Sequence, residues 1–167
     1  MKQSEIKVSP VEKCKIEYNK SVSELRNYYS EQAERIKKGD KKCLSGELMQ
    51  LGFALDFIDL VNDAFHIFLD FDEESVSRLE NVLEKICLGF YDKKIPQESF
   101  EDILKGATGY FSVLVWKNVG GGFINSSLGY GINLNRTDVF VYNRIGRRLQ
   151  GDKSANVELF YQSLKSL

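Results

Sequence analysis

SFEDILKGATGYFSVLVWKNVGGG, the stretch from Ser99 to Gly122, separates two unlike parts of the chain. The segments before it have helical periodicity, whereas those after it are short and punctuated by glycine. At about 100° per residue, eight of its apolar residues fall within an arc of roughly 140°. These residues are Phe100, Ile103, Leu104, Ala107, Tyr110, Phe111, Leu114 and Val115, and on the other side lie Glu101, Asp102, Lys105 and Ser112.

The ends of this stretch favour a helix. Ser99 stands at a capping position, two acidic residues follow near the positive end of the helix dipole, and the glycines from Gly120 end the pattern. Gly106 and Gly109 oppose a helix by about 1 kcal/mol each relative to alanine, but both lie away from the apolar arc, where a neighbouring backbone can approach. The alternative is a buried strand from Tyr110 to Trp116, because β-branched and aromatic residues are enriched in strands. We predict a helix from Ser99 to Val119 and keep the strand as the alternative.

The region before this stretch is predicted to be helical. Residues 1–8 are expected to fray, and Ser9 and Pro10 begin a long amphipathic helix over residues 9–38. Residues 45–119 are predicted to be helical as well. Within them, one helix runs from Ser45 to about Phe65, and another follows Asp72, which is expected to cap it.

The region after it, residues 120–167, is predicted to form a small sheet and a closing helix. Gly122 to Asn125 and Gly131 to Leu134 have the character of two short strands, and Asp138 is a candidate cap for the segment that follows. That segment is either a strand turning into a helix or a short helix throughout. The closing helix spans Ser154 to Leu167, with Val157, Phe160, Leu164 and Leu167 on one face. The predicted fold class is therefore α+β, in one domain over residues 1–167.

Charge is distributed unevenly along the chain. The net charge is −1, but residues 1–44 carry +4, residues 45–104 carry −10 and residues 105–167 carry +5. An acidic face that survives folding repels nucleic acid and attracts a basic partner. We therefore expect a protein partner and no nucleic acid.

Composition points to a cytoplasmic protein. The 3 cysteines are widely spaced and form no CxxC motif, which argues against a disulfide framework and a zinc site and fits a reducing compartment. The N-terminus lacks the apolar core of a signal peptide. The most apolar region, Phe53 to Leu69, is interrupted by three aspartates, so no membrane span is expected.

The three aspartates form the strongest candidate site. Asp56, Asp59 and Asp63, which we call the acidic strip, share one face of the second predicted helix, and Asp70 and Asp72 extend it along the sequence. Oxygen ligands in this arrangement can hold a hard divalent cation, but no calcium-loop spacing is present and no histidine accompanies them. We interpret all five as a surface that binds a partner, and predict no metal, no cofactor and no catalytic residue.

A basic cluster lies near the C-terminus. Arg144, Arg147 and Arg148 stand close together in the sequence RIGRR. They can bind phosphates or a carboxylate on a partner. The favoured interpretation is that they pair with the acidic middle of their own chain.

Four segments carry a resemblance to a group of small bacterial proteins of uncharacterised function. They are LDFDEESVSRLENVLEK (69–85), GATGYFSVLVWKNVGGGF (106–123), VYNRIGRRLQG (141–151) and LFYQSL (159–164), which contain the patterns GY…NxGG, VxxR and FYxxL. In that group the first pattern closes a helix and leads into a small antiparallel sheet. This chain differs in having Val113 and Phe123 where the group has glutamate and tryptophan. The resemblance implies a role in toxin–immunity or similar accessory systems, without an assigned catalytic residue.

These observations lead to one functional hypothesis and two alternatives. The hypothesis is a non-catalytic cytoplasmic protein-binding module, immunity-like, that presents an acidic surface to a basic partner. The first alternative is a metal-dependent hydrolase centred on the clustered aspartates. The second is a structural role, with homo-oligomerisation through the N-terminal helix.

Overall fold

A computed structural model of the protein describes residues 10–39, 46–126 and 129–167. Within these ranges it contains six α-helices and a three-stranded antiparallel sheet, which confirms the α+β fold. The helices are α1 (Pro10–Lys37), α2 (Gly46–Phe65), α3 (Ser75–Tyr91), α4 (Phe100–Asn118), α5 (Val141–Leu149) and α6 (Val157–Lys165), and the strands are β1 (Gly122–Ser126), β2 (Gly129–Leu134) and β3 (Thr137–Val139). The predictions for residues 1–8 and for helix starts at Ser9 and Ser45 lie outside the described residues.

Helix α4 forms the centre of the molecule. Its limits confirm the predicted helix, and the strand alternative for Tyr110 to Trp116 is wrong. The expected polar face, however, is absent over much of its length, because every residue from Gly106 to Val115 is buried, Ser112 among them. Helices α2 and α5 and strand β2 pack around α4 and cover the side that the sequence assigned to solvent.

Two glycines set the packing of α2 against α4. A Cβ atom at Gly109 would lie 2.4 Å from the carbonyl oxygen of Gln50, and one at Gly106 would lie 3.0 Å from Cβ of Phe57. The order of these contacts shows that the two helices run antiparallel. The missing side chains let the backbones approach closely, as the sequence suggested.

The start of α3 is stabilised by hydrogen bonds to a backbone carbonyl group. The buried face of α3 consists of Val76, Leu79, Val82, Leu83 and Ile86. The predicted capping by the Asp72 side chain is wrong. Instead, the backbone N–H and Oγ of Ser75 both donate to the carbonyl oxygen of Asp72, at 2.8 and 2.6 Å.

The sheet has the order β1-β2-β3. Strands β2 and β3 are joined by a two-residue turn, in which Asn135 and Arg136 have φ values of 46° and 65°, as tight hairpins require. The proposed cap Asp138 lies inside β3, where its Oδ1 accepts a hydrogen bond from Nδ2 of Asn133 at 2.6 Å. The segment that follows Asp138 therefore completes strand β3 at Val139 and then forms helix α5. A strand turning into a helix was one of the two interpretations of this segment.

The last helix begins later than predicted. A single 3-10 turn at Lys153–Ala155 precedes α6, and Oδ1 of Asn156 accepts hydrogen bonds from the N–H groups of Glu158 and Leu159. Val157, Phe160 and Leu164 are buried as expected. Leu167 was expected on the same face but is 50% exposed, because it lies beyond the end of the helix.

Candidate functional site

The acidic strip lies on the solvent side of α2. The side chains of Asp56, Asp59 and Asp63 are all exposed. Asp59 Oδ1 accepts a hydrogen bond from Nη2 of Arg26 on α1 at 2.5 Å, and both side chains of this pair are well exposed. Within the described ranges, Asp56 and Asp63 have no ion pair. The fold thus brings the three carboxylates together and leaves most of their charge facing water.

The other two aspartates of the predicted surface lie apart from the strip. Asp70 and Asp72 occupy the link before α3, and each has a cation of its own. Asp70 Oδ1 lies 3.0 Å from Nη2 of Arg78, and Asp72 Oδ1 lies 3.2 Å from Nζ of Lys117. Their charge is therefore used within the fold, so we leave them out of the candidate site.

The basic cluster also makes contacts within the fold. Of its three arginines, only Arg148 pairs with the acidic middle of the chain, and the contacts of Arg144 and Arg147 lie in the C-terminal region. Arg147 donates to Oδ2 of Asp152 from both Nε and Nη2, at 2.9 and 2.6 Å. Hydrogen bonds from Ser154, followed by those from Arg147, lower the pKa of Asp152 to about 2. The guanidinium of Arg144 lies over the ring of Phe160, 4.7 Å from its centroid.

Arg148 makes the most buried of these contacts. Its side chain is 4% exposed, and its Nε and Nη2 donate to Glu80 and Glu84 of α3 at 2.7 and 2.6 Å. The hydrogen bond from Arg148 lowers the pKa of Glu84. Glu80 also accepts the backbone N–H of Val157 at 3.0 Å, so one carboxylate connects α3 with both α5 and α6.

Beside the acidic strip lies an apolar cavity that the sequence did not reveal. We call it the α2–α4 groove, and its volume is about 580 Å³. It opens where α2 and α4 continue past their close contact at Gly106, towards the N-terminus of α4. The principal apolar residues of its lining are Phe53, Phe57, Leu60, Phe65, Ile86 and Ile103.

The loop before α4 closes one side of the groove. Ile95 belongs to the lining and packs against α3. This packing depends on Gly89, because a Cβ atom there would lie 2.6 Å from Cδ1 of Ile95. The groove therefore has walls from three helices and one loop, which are distant in the sequence.

Three charged side chains border the groove. Asp56 and Asp102 are exposed and Lys105 is half-buried, and none of the three has an ion pair with another described residue. Asp56 belongs both to the groove and to the acidic strip, so the two features form one continuous surface. In the sequence, the only sign of this charged border is that Asp102 and Lys105 fall on the predicted polar side of α4.

A hydrogen bond between α5 and α4 lies next to this border. The hydroxyl of Tyr142 donates to Oε1 of Glu101 at 2.5 Å. The hydrogen bond to Glu101 raises the pKa of Tyr142 to about 12. The ring of Tyr142 packs edge-on against Tyr130, and Tyr130 packs in the same manner against Phe53 of the groove. These contacts hold the first turn of α4 in place beside the sheet.

Neither a metal cluster nor a membrane span is found in the described parts of the chain. No three His, Cys, Asp or Glu side chains among those residues converge in a way that could hold a metal ion. No described helix has the combined length and apolarity needed to cross a bilayer.

No protein-family model, curated protein or solved structure matches this chain. The resemblance to small bacterial proteins accordingly stays a prediction.

Proposed function

We propose that the protein is a non-catalytic protein-binding module that presents the acidic strip of α2 to a basic partner. One observation carries the proposal: the strip faces solvent, while the arginines of the basic cluster are engaged elsewhere. The cytoplasmic location and the immunity-like role expected from the sequence belong to the same proposal.

The energetics of the strip favour a partner. Like charges three and four residues apart destabilise a helix by about 0.2–0.5 kcal/mol per pair. Arg26 offsets part of this repulsion at Asp59, whereas Asp56 and Asp63 have no such cation among the described residues. A basic surface that docks on α2 would offset the remainder, and exposed charges of this kind mainly accelerate encounter.

The metal-dependent hydrolase receives less support. Catalysis by a hard cation needs carboxylates that converge on one point. Asp56, Asp59 and Asp63 instead project from the outer face of one helix, and in the described ranges no further ligand joins them. The oligomeric role of α1 stays a prediction.

The test is the rate of association with a purified partner. A partner captured from the native organism is identified and purified, and its binding is measured by surface plasmon resonance at low and at physiological salt. We expect the double variant Asp56→Asn, Asp63→Asn to associate several-fold more slowly at low salt, with a smaller difference at physiological salt. The double variant Asp92→Asn, Glu158→Gln removes the same charge from exposed positions elsewhere and serves as the matched control.

Two results would contradict the proposal. One is equal association rates for the strip variant and the control. The other comes from calorimetric titration with Mg²⁺, Mn²⁺ and Ca²⁺: stoichiometric binding that Asp59→Asn abolishes would assign the aspartates to a metal site.

A further inference from the structure

We propose that the α2–α4 groove receives the apolar anchor of the basic partner. The occupant is a peptide segment that combines one or two large apolar side chains with neighbouring lysine or arginine. The apolar side chains enter the groove, and the cations pair with Asp56 and Asp102. This inference rests on the proposed function and specifies the chemistry of its partner.

The walls of the groove account for the apolar part of this segment. A volume of about 580 Å³ lies within the range of roughly 300–1,000 Å³ typical of ligand sites. Leu60 is 46% exposed at its border, and Phe65 and Ile95 are half-buried. A partner that covers these side chains removes apolar surface from water, which is the dominant favourable contribution in most protein association.

The charges at the border of the groove determine the sign of the charge that the partner carries. Asp56 and Asp102 outnumber Lys105, so an occupant with a carboxylate or a phosphate would meet net repulsion. A cation beside the apolar anchor meets two carboxylates that lack ion pairs with described residues. The same sign of charge continues onto the acidic strip, beyond the groove.

The length of the combined surface favours a peptide over a small molecule. Along α2 the groove lining runs from Phe53 to Phe65, about 18 Å of helix, and Asp59 and Asp63 lie beside it, outside the lining. A small molecule covers only part of this length. A peptide segment anchored in the groove contacts both features, as helices and strands do when they dock into apolar grooves.

A random peptide library displayed on phage and selected on the full chain tests this inference. We expect the enriched peptides to combine large apolar residues with lysine or arginine. A labelled enriched peptide then serves as the probe for fluorescence anisotropy. Leu60→Glu should weaken its binding at least about tenfold, because it places a charge against the apolar anchor, and Leu60→Ala should weaken it in the same direction. Leu159→Glu, at a leucine of α6 that is 69% exposed, is the matched control and should leave binding unchanged.

The outcomes separate this inference from the proposed function. One outcome is that the enriched peptides are basic but lack apolar residues, and that their binding is weakened by Asp56→Asn, Asp63→Asn but not by Leu60→Glu. This outcome would overturn the apolar anchor and leave the proposed function standing. Acidic peptides, or no enrichment over an unrelated bait, would overturn both. A dimer in sedimentation that Leu60→Glu dissociates would assign the groove to a second copy of the chain. Binding of octyltrimethylammonium that the enriched peptides do not displace would assign it to a small molecule.

Discussion

Arg148 is the one charged side chain that the described part of the chain buries. Its guanidinium is held by Glu80 and Glu84, which lie four residues apart and therefore on one face of α3. Removing one partner of a buried ion pair leaves the remaining charge without compensation, and this costs more than the pair itself contributes. The contact therefore fixes α5 on α3 more firmly than an exposed pair would.

Replacement of Arg148 should destabilise the fold far more than replacement of its neighbour. We expect Arg148→Met to lower the free energy of unfolding by about 2–4 kcal/mol, since Glu80 and Glu84 keep part of their hydration. Arg147→Met, which breaks the exposed pair with Asp152, should cost about 1 kcal/mol or less. Urea unfolding measures the stability of both variants. Equal midpoints would show that the buried contact contributes no more to stability than the exposed pair.

The hydrogen bond between Tyr142 and Glu101 makes stability depend on pH in the alkaline range. The folded state raises the pKa of Tyr142 from 10 to about 12, so the folded chain holds the phenol proton more tightly than the unfolded chain does. The resulting stabilisation is complete below pH 10 and is lost as the pH rises towards 12. The difference in unfolding free energy between the wild type and Tyr142→Phe should therefore shrink across this interval.

Urea unfolding of both proteins at neutral pH and at several values up to pH 12 provides the measurement. At neutral pH the wild type should be more stable by about 1 kcal/mol, the usual contribution of one hydrogen bond. A difference that stays constant up to pH 12 would mean that the hydrogen bond does not control the pKa of Tyr142.

Among the elements, the pair α2 and α4 determines where the candidate site lies. Close contact at Gly109 and Gly106 holds the helices together on one side, and the groove opens on the other. The α2–α4 groove therefore begins at the point along α4 where the small residues of the close contact end. Larger residues at these glycines would push the helices apart and change its shape.

Two glycine substitutions should have opposite effects on stability. Gly109→Ala places a Cβ atom 2.4 Å from a backbone oxygen, so we expect a loss of about 1–3 kcal/mol despite the better helix propensity of alanine. Gly146→Ala in α5 meets Leu104 at an ordinary 3.5 Å, so the propensity gain of about 0.5–1 kcal/mol should appear as added stability. Urea midpoints compare the two, and stabilisation by Gly109→Ala would contradict the close contact of the helices.

The elements that the sequence predicted correctly carry their own end signals. Helix α4 is flanked by Ser99 and the glycines from Gly120, and both limits agree with the structure, although the Ser99 side chain makes no capping hydrogen bond. The burial of Ser112 was not predictable in this way, because it depends on α2, α5 and the sheet packing around α4. Strand β3 was missed for a different reason. Asparagine at position 135 tolerates the positive φ of a two-residue turn, but an aspartate such as Asp138 is also typical of a helix cap, so the sequence alone does not distinguish the two.

At the scale of the whole molecule, the uneven charge of the sequence becomes spatially sorted. The basic C-terminal region contributes Arg148 to Glu80 and Glu84 of α3, and the basic N-terminal region contributes Arg26 to Asp59. The strip and the border of the α2–α4 groove retain their negative charge. The sequence predicted the strip, since its members share one helix, but not the groove, whose lining comes from residues as far apart as Phe53 and Gly106.

Hydrogen exchange should divide the molecule into a slow centre and a faster periphery. Amides of α4 from Gly106 to Val115 are buried on all sides, so we expect them to exchange only through global unfolding. Helix α1 packs mainly along α2, and most of its residues from Ser23 onward are exposed or half-buried, so its amides there should exchange faster through local opening. Mass spectrometry after proteolysis measures both segments, and equal protection would indicate one cooperative unit.

The central position of α4 also has a consequence for how the chain is made. A ribosome synthesises α1, α2 and α3 before any residue of α4 exists, and until then the apolar faces of α2 and α3 have no core to join. Residues from Val141 to Leu164 complete the same core only after α4 and the sheet have been made. The nascent chain therefore exposes apolar surface until these residues emerge, and such surface is what chaperones bind. Production of the protein in cells should accordingly depend on chaperone supply more strongly than its modest size suggests.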